Sequence, residues 1–505
     1  MRISILNGNW VSQDAIGQCI SHQVRFFQRR GDDVRVYVTH SPEGIPAAQA
    51  RLAKTVSPDE LTSGKDTHFA TTDLYIYHYP GIYPLLDTLK TLERGAVIFY
   101  YHNVTPPELW GSQFAEIDLQ LGVERVGEFA AYADLVVTPS DFNKQQLISD
   151  YGLDSATIRV LPLAVDLSHF SPGTKDATLL RRYHLAGKRV LLYVGRMAGN
   201  KRVDLLVEAL AQVRPQVPNT VLLLVGDDRS NPAIVEQVAQ ARERASTLGV
   251  ADAVIFTGRV DDLPAHYRLA DVYVTASLHE GFGVPLIEAM ASGIPVVASA
   301  ATAHPWVLGD AGLFYTPGDV EGLTAGIVRL LTDDELYGSL VRKGLDRSQD
   351  FALETYETGW SKVVQEAIAW LPQRPYPLPG PAAKTTPPRE TLDSTSGEIQ
   401  AVDLLPLKTL ASLADIMDRK YRVRSGIPII GTFIAWIRRN LTSHLREPYI
   451  DPTFERQVLF NRTIIHTFEQ LLGRIAVLES QLAVLQRDLE TKPSQDSTEK
   501  RIGDE

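Results

Sequence analysis

Residues 279–290 read His-Glu-Gly-Phe-Gly-Val-Pro-Leu-Ile-Glu-Ala-Met and follow a short apolar run, Val272–Thr275. Glycines let a backbone approach a ligand closely, and Pro285 suits the first turn of a helix, where its missing N–H is not needed. The stretch therefore predicts a buried strand, a tight loop and a helix. The free N–H groups and positive dipole end of that helix face the loop, which makes the loop a site for phosphate.

Two glutamates stand at the two ends of this stretch. Glu280 falls in the predicted loop and Glu288 about one turn inside the predicted helix. We expect both carboxylates to face one bound ligand. The alternative is that Glu280 only caps the helix and that Glu288 is a solvent-exposed carboxylate.

Short apolar runs alternate with amphipathic stretches on both sides of this unit. Candidate strands are 3–6, 34–38, 74–77, 96–101, 135–138 and 158–161, then 190–194, 221–225, 253–256, 272–275 and 295–298. Strand–helix alternation with little hairpin chemistry is typical of parallel sheets covered by helices on both faces. Because the series restarts near Val190, we predict an α/β fold with two doubly wound, Rossmann-like domains, 1–170 and 171–370, and ligands at the carboxyl ends of the strands.

Composition excludes several classes of protein. Among 505 residues, Lys plus Arg is 50 and Asp plus Glu is 61, a net charge of -11, which disfavours a protein that grips nucleic acid. The single cysteine, Cys19, excludes an internal disulfide and fits a reducing compartment. No window of about 20 residues is uniformly apolar, and the N-terminal apolar run is short for a signal peptide. We therefore expect a cytoplasmic protein without a transmembrane helix.

The C-terminal quarter differs in character. Residues 371–403 begin with seven prolines between Pro372 and Pro388, which predicts an extended linker that continues as a disordered polar stretch. Region 404–450 follows, and its segment 416–446 holds seven basic residues and one acidic residue around an apolar run with Trp436. We therefore predict that 404–450 is a basic amphipathic helical region, which either lies in a membrane interface or packs on its own or another chain. The sequence leaves both options open.

A heptad pattern follows in 451–490, before a polar, disordered tail at 491–505. Its apolar residues are spaced alternately by 3 and 4: Phe468, Leu471, Ile475, Leu478, Leu482, Leu485 and Leu489. A seam this narrow favours a coiled coil, whereas a helix packed on its own chain shows a wider apolar stripe. We therefore expect a homo-oligomer through 468–489.

A second charged cluster begins the second domain. The predicted strand 190–194 runs into Gly195-Arg196, and Lys201 follows five residues later. Arginine offers a planar fork for phosphate oxygens and lysine a compact point charge. Two such cations at the carboxyl end of a strand are able to neutralise a diphosphate.

Together, the two clusters resemble glycosyltransferase family 4, retaining transferases of the GT-B architecture, over roughly residues 1–370. Gly195-Arg196 with Lys201 matches the family's Gly-Arg-x4-Lys motif, and Glu280 with Glu288 matches its Glu-x7-Glu signature. Further matches, in chain order, are Val225-Gly226-Asp227, the loop Phe256–Val260, the strand within 291–298 and the loop 309–313 that follows it. The expected glutamate near 306 is absent, because residues 302–306 read Thr-Ala-His-Pro-Trp.

The resemblance implies a nucleotide-sugar donor held mainly by the second domain, 171–370, and an acceptor bound by the first domain, 1–170. Arg196 and Lys201 then hold the diphosphate, and Glu288 bonds the donor ribose. Glu280 positions the transferred sugar and His102 lies near it, so these two are the catalytic candidates; a hydrogen-bonded structural histidine is the alternative for His102. The other donor-binding candidates are Gly17, Gly195, Gly226, Arg259, Val260, Gly281, Phe282, Gly283 and Val284.

The resemblance also implies that no metal or other cofactor is needed, because the two cations replace a metal, and that a final helix near 353–370 crosses back to the first domain. The function it implies is transfer of a sugar from a nucleotide-sugar donor to a glycan or lipid-linked acceptor, in cell-surface polysaccharide or glycolipid synthesis. The tail suggests work at the cytoplasmic face of a membrane. Two alternatives are a nucleotide-sugar epimerase of the same architecture and a non-catalytic coiled-coil scaffold with a degenerate transferase domain.

Overall fold

The computed structural model describes residues 1–12, 14–110, 113–230 and 232–369, with the backbone alone for 113–117. Two parallel sheets are present, each with helices on both sides. The linker, the basic segment 416–446 and the heptad seam 468–489 lie outside the described residues and stay predictions. Among the helices that the structure describes, none combines the length and apolar character needed to cross a membrane.

The first sheet has seven strands: β1 Arg2–Leu6, β2 Asp33–Val38, β3 Ala53–Thr55, β4 Leu74–Tyr79, β5 Ala96–Tyr101, β6 Leu135–Thr138 and β7 Ile158–Val160. Its order is β3-β2-β1-β4-β5-β6-β7. Its helices are α1 Ala15–Arg29, α2 Ala47–Ala50, α3 Pro58–Thr62, α4 Thr67–Ala70, α5 Gln113–Glu124, α6 Val126–Ala130 and α7 Asp141–Tyr151.

The second sheet has six strands: β8 Arg189–Val194, β9 Thr220–Val225, β10 Val254–Gly258, β11 Val272–Thr275, β12 Val296–Ser299 and β13 Gly312–Tyr315, in the order β10-β9-β8-β11-β12-β13. Its helices are α8 Ala177–Arg182, α9 Val203–Val213, α10 Pro232–Thr247, α11 Leu263–Leu269, α12 Val284–Ala291, α13 His304–Leu308, α14 Val320–Thr332 and α15 Asp334–Ser348. The last helix, α16, spans Leu353–Ala369. Short 3₁₀ turns lie at Pro84–Thr91, Pro107–Leu109, Ser155–Thr157, Gly199–Lys201, Ala251–Ala253 and Gln349–Phe351.

The predicted α/β class and the two parallel sheets are confirmed. Two short strands were not predicted. β3 reads Ala-Lys-Thr and carries no apolar run. Gly312 and Leu313, which the sequence placed in a loop, instead open β13, where they pair with Val296 and Val297. Strand order reverses between β1 and β4 in the first sheet and between β8 and β11 in the second, and such reversals open a crevice at the carboxyl ends of the strands.

The helix α16 returns the chain to the first sheet. Trp360 is fully buried and packs edge-on against Phe27 and Tyr100. The hydroxyl of Tyr356 lies 3.2 Å from the sulfur of Cys19 on α1. Burial of an indole of this size stabilises the fold by roughly 3–5 kcal/mol as judged from truncations. The second domain is therefore enclosed in the chain between two segments that belong to the first.

Candidate functional site

The loops that follow β8 and β11 lie side by side, because these strands are neighbours at the reversal of the second sheet. Asn200 joins the two loops. Its backbone carbonyl accepts a hydrogen bond from the N–H of Leu278 at 2.8 Å, and its side-chain amide donates to the carbonyl of His279 at 3.1 Å. The two charged clusters, about 80 residues apart in sequence, therefore form one site.

Lys201 and Glu280 form the central ion pair of this site. The Lys201 ammonium is 2.5 Å from Oε1 of Glu280, and their side chains are 15% and 21% exposed. Ser277 donates a second hydrogen bond to the same carboxylate oxygen at 2.9 Å. Although burial alone would raise it, the pKa of Glu280 is lowered, chiefly by the Lys201 charge. Glu280 is thus held as a carboxylate.

Thr302 fixes the backbone of Glu280. Its hydroxyl accepts a hydrogen bond from the N–H of Glu280 and donates one to the Glu280 carbonyl, both at 2.8 Å. Thr302 has a φ of 46°, a left-handed conformation that is costly for a β-branched residue. The segment 302–306 departs from the family pattern in sequence, and here it takes part in positioning the catalytic candidate.

Arg196 contacts an aromatic ring of the first domain. Its guanidinium lies 5.4 Å from the centre of the Trp110 ring, within the range of a cation–π interaction. Trp110 follows the 3₁₀ turn after β5. Arg196 thus stands where the loops of the two domains meet.

The helix α12 begins at the loop as predicted. Gly283 is its N-cap residue with a φ of 103°, Pro285 lies in the first turn, and no side chain caps the helix. Glu280 therefore does not cap α12. Phe282 and Val284 are buried, and Phe282 packs against Trp306 and Phe351. Phe282 and Val284 therefore present backbone groups, and not side chains, to the surface of the loop.

Glu288 is buried in α12, so the alternative of a solvent-exposed carboxylate is wrong. Its Oε2 accepts a hydrogen bond of 2.7 Å from the hydroxyl of Tyr267 on α11. Burial raises the pKa of Glu288 to about 7, although the Tyr267 hydrogen bond lowers it. The two glutamates of the signature therefore differ, since Glu280 is ionised and Glu288 titrates near neutrality.

Glycines let the backbone segments of β8 and β9 meet behind the site. A Cβ on Gly226 would lie 2.1 Å from the carbonyl oxygen of Gly195, so no larger residue fits there. Asp227 follows, and its Oδ1 accepts hydrogen bonds from the N–H groups of two later residues in its loop. Arg259 is half-exposed at 3.5 Å from the other Asp227 oxygen. Val260 is partly buried against the core beside it.

A set of hydrogen bonds joins this loop to the first domain. Asn143 on α7 donates to the carbonyl of Gly281 at 2.8 Å and accepts from Asn103 at 2.8 Å. Asn103 in turn accepts from Nε2 of His279 at 2.8 Å, and Ser140 donates to the Gly281 carbonyl at 3.2 Å. The loop is thus fastened across the cleft. Contacts of this kind cannot be read from a sequence, because their partners are far apart along it.

His102, at the end of β5, lies directly beneath this junction. A Cβ on Gly281 would stand 2.4 Å from the His102 carbonyl oxygen, so the glycine is required for the approach. Gly17 has a similar role in α1, where a Cβ would lie 1.7 Å from the carbonyl oxygen of Val11. The structure therefore gives Gly17 a packing role within the first domain and places His102 at the cleft.

Within the described part of the chain, one group of three side chains has metal-ligand spacing: Cys19, His78 and His102, whose ligand atoms lie within 4.8 Å of one another. All three are buried.

Comparison with protein families agrees with this geometry. The family described as glycosyltransferase family 4 matches residues 16–169, and the family described as glycosyl transferases group 1 matches residues 188–333. The two matches correspond to the first and second sheets in turn.

Proteins of similar sequence include a mannosyltransferase and a synthase. The O-antigen chain mannosyltransferase B of Escherichia coli is 30% identical over 296 residues, 56% of this chain and 72% of that protein. Mannosylfructose-phosphate synthase of Agrobacterium fabrum is 33% identical over 252 residues, 48% of this chain and 53% of that enzyme. The chain thus spans about half the length of mannosylfructose-phosphate synthase.

Solved structures share the fold. Sucrose-phosphate synthase from Thermosynechococcus elongatus has a TM-score of 0.59 at 21% identity, covering 73% of this chain and 99% of that one. HepE of Anabaena, solved with UDP and glucose, has a TM-score of 0.60 at 20% identity, covering 72% and 99%. At these identities the likeness concerns architecture, which is the GT-B architecture expected from the sequence. On the relationships in sequence, the chain belongs to glycosyltransferase family 4.

Proposed function

We propose that this chain is a retaining glycosyltransferase that moves a sugar from a nucleotide-sugar donor to a glycan or lipid-linked acceptor. The observation that carries the proposal is the pairing of Lys201 with Glu280 in the loop before α12, which Asn200 joins to the loop that carries Arg196. Two cations and a free helix N-terminus suit a diphosphate, and one ionised carboxylate lies beside them.

The chemistry follows from these charges. As the bond between sugar and diphosphate breaks, negative charge grows on the leaving phosphate, and Arg196 with Lys201 stabilises that charge. Glu280, oriented by Ser277 and Thr302, positions the sugar and faces the positive charge that develops at its anomeric carbon. Asn103 and Asn143 hold the loop against the first domain, and the closed cleft keeps water from the reacting bond. A metal ion is not required in this scheme.

The donor class is proposed from the relatives. Names among them include a GDP-mannose-dependent mannosyltransferase of Mycolicibacterium smegmatis, and one solved relative of the fold holds UDP-glucose. GDP-mannose is therefore the first donor to test and UDP-glucose the second. Synthesis of a cell-surface polysaccharide or glycolipid, at the cytoplasmic face of a membrane, is the setting that we infer for the reaction.

The epimerase and the scaffold, the two alternative functions, predict different behaviour towards the donor. An epimerase of this architecture would consume the donor without an acceptor and release an altered nucleotide sugar or its free sugar. A scaffold would bind no donor at all. The charged site formed by Lys201, Glu280 and their hydrogen bonds disfavours a scaffold. The relatives, which are named as a mannosyltransferase and a synthase, favour transfer over epimerisation.

The test is a thermal-shift screen of the full chain with UDP, GDP, ADP and their sugar conjugates, without added metal, followed by product analysis with the donor that binds. Selective stabilisation by one nucleotide is expected, because binding to the folded state raises its stability. Arg196→Ala and Glu280→Ala should abolish turnover, whereas Arg214→Ala, which loses an exposed pair with Asp252 in the same domain, should not. If the protein is folded and none of these ligands raises its melting temperature, the proposal is contradicted.

A further inference from the structure

Three buried side chains form a hydrogen-bonded chain that leads to the cleft. Nε2 of His78 lies 2.8 Å from Oε1 of Gln23, and Nδ1 of His78 lies 2.7 Å from Nε2 of His102. Gln23 and His78 are fully buried, and His102 is 9% exposed. The chain starts on α1, crosses the end of β4 and reaches the residue that follows β5.

The two imidazole rings are well aligned for this contact. Their planes differ by 6°, and their centres are 4.9 Å apart. The ring centres are farther apart than the two bonded nitrogens by about two ring radii. This difference is expected when both centres and both nitrogens lie on one line, so the hydrogen bond runs in the plane of both rings. A nitrogen lone pair points in that direction, which is the favourable geometry for an N–H···N bond.

The oxygen of Gln23 gives the chain a direction. A side-chain oxygen of glutamine accepts and cannot donate, so Nε2 of His78 carries the proton. A neutral histidine has one N–H, which leaves Nδ1 of His78 as an acceptor. Nε2 of His102 must then donate, and Nδ1 of His102 keeps its lone pair. Among the described residues, no side chain or backbone group hydrogen-bonds Nδ1 of His102.

Both histidines are neutral. Burial lowers the pKa of His102 to about 3, and burial together with the neighbouring His102 lowers the pKa of His78 well below its ordinary value. A charged imidazolium at either position is thereby excluded at neutral pH, so each ring carries a single N–H.

Cys19 supports the orientation of the glutamine. The amide nitrogen of Gln23 points at the Cys19 sulfur at 3.8 Å, and burial raises the pKa of that thiol to about 12, so the sulfur stays protonated. The sulfur also contacts the Tyr356 hydroxyl on α16. Cys19, Gln23 and His78 thus each have hydrogen-bond partners within the cluster, which favours a proton rather than a metal ion between the two histidines.

We propose that Gln23 and His78 are positioning residues that lock His102 in the tautomer with its proton on Nε2, so that Nδ1 accepts a hydrogen bond from a hydroxyl group of the substrate. The role in turnover rests on the proposed transferase function. The tautomer itself does not, and it is measurable in the protein without substrate.

The deciding experiment is ¹⁵N NMR of the full chain labelled at histidine, with the His102 signals identified by their loss in His102→Gln. The proposal expects the two-bond pattern of a neutral ring protonated at Nε2, unchanged between pH 6 and pH 8. A ring protonated at Nδ1 would overturn it, and this is the pattern that the opposite orientation of Gln23 would produce.

Two variants then test the positioning role. Gln23→Met and His78→Phe each remove one member of the hydrogen-bonded chain while keeping a side chain of similar volume. Each variant should give a mixture of His102 tautomers. With the donor identified above, kcat/KM should fall roughly five- to tenfold, the equivalent of one neutral hydrogen bond. Thr88→Val is the control, because it removes a buried hydrogen bond to Tyr77 in the same domain without touching the chain.

The outcomes are distinct. An unchanged tautomer in both folded variants would overturn the proposal, as would stoichiometric metal in the purified protein that is lost in His78→Phe. If the tautomer is as expected and responds to the variants but no donor is turned over, the transferase function fails while the assignment of Gln23 and His78 stands.

Discussion

The ammonium of Lys201 lies 2.5 Å from the carboxylate of Glu280, so in this structure the cation expected to bind a donor phosphate is paired with the residue expected to position the sugar. A bound diphosphate has to share or replace that pairing. The two side chains therefore have opposite effects on the binding of a nucleoside diphosphate that carries no sugar.

Lys201→Met should weaken binding of the matching nucleoside diphosphate about 10- to 100-fold, because a hydrogen bond to a charged group contributes roughly 1.5–3 kcal/mol. Glu280→Gln should strengthen the same binding, since it removes a carboxylate that competes for the lysine, while transfer is lost. Calorimetric titration measures both. Lys343→Met, which breaks an exposed pair with Asp310, serves as the control. Weaker binding in both site variants would contradict the competition.

Glu288 predicts an unusual pH dependence of stability. Its pKa in the folded protein is raised to about 7, so the folded state holds a proton that the unfolded chain releases near pH 4.5. The sign follows from linkage: this group stabilises the fold fully below pH 4.5, and the stabilisation is lost as pH rises through about 7. Glu288→Gln should therefore gain stability relative to the native chain between these values, up to roughly 3 kcal/mol above pH 7.

Urea unfolding at pH 5, 6, 7 and 8 measures this difference. Because the comparison subtracts the native chain at each pH, the titration of other groups cancels. A difference that does not change with pH would show that Glu288 is ionised throughout, as in an ordinary exposed carboxylate.

Gly281→Ala should separate the loop from the first domain. The added methyl would lie 2.4 Å from the carbonyl oxygen of His102 and 2.8 Å from Cβ of Asn103, and backbone cannot yield by that amount without movement. We expect a larger radius of gyration in small-angle scattering and a marked fall in turnover. Gly338→Ala, in α15, is the matched control because only a flexible arginine end lies near the added methyl. An unchanged radius of gyration would contradict the fastening role of this loop.

The heptad seam predicts self-association of the full chain. Leu478→Asp combined with Leu482→Asp places charges on that seam and should convert an oligomer to monomers in sedimentation velocity. Gln481→Asp, between the two seam positions, should not. A native chain that sediments as a monomer would refute the coiled coil.

Local patterns in this sequence predict strands well and contacts poorly. The buried run Ala96–Tyr101 matches β5 at both ends because it is bounded by a glycine and by polar residues. The site residues in the two motifs were predicted for the same reason, since a strand, a loop and a helix start are local features. His78 and His102 each lie near the end of a predicted strand. If those two strands had been predicted to be neighbours in the sheet, the contact between the two histidines could also have been predicted.

Other parts of the site were beyond prediction. Thr302 hydrogen-bonds the backbone of Glu280 and has a left-handed backbone conformation, which a threonine in the sequence does not predict. Asn103, Asn143 and His279 meet only because two domains close on one another. The burial of Glu288, which gives it a different ionisation from Glu280, depends on Tyr267 and on the packing around α12.

The course of α16 has a mechanical consequence. This helix leaves the second domain, packs Tyr356 and Trp360 on the first and ends at Ala369. Whatever follows in the chain is thereby tethered to the half that carries His102. If the protein is anchored through those later residues, the first domain is the stationary half. The second domain, which carries the proposed donor site at Arg196 and Lys201, is then the half that is free to move.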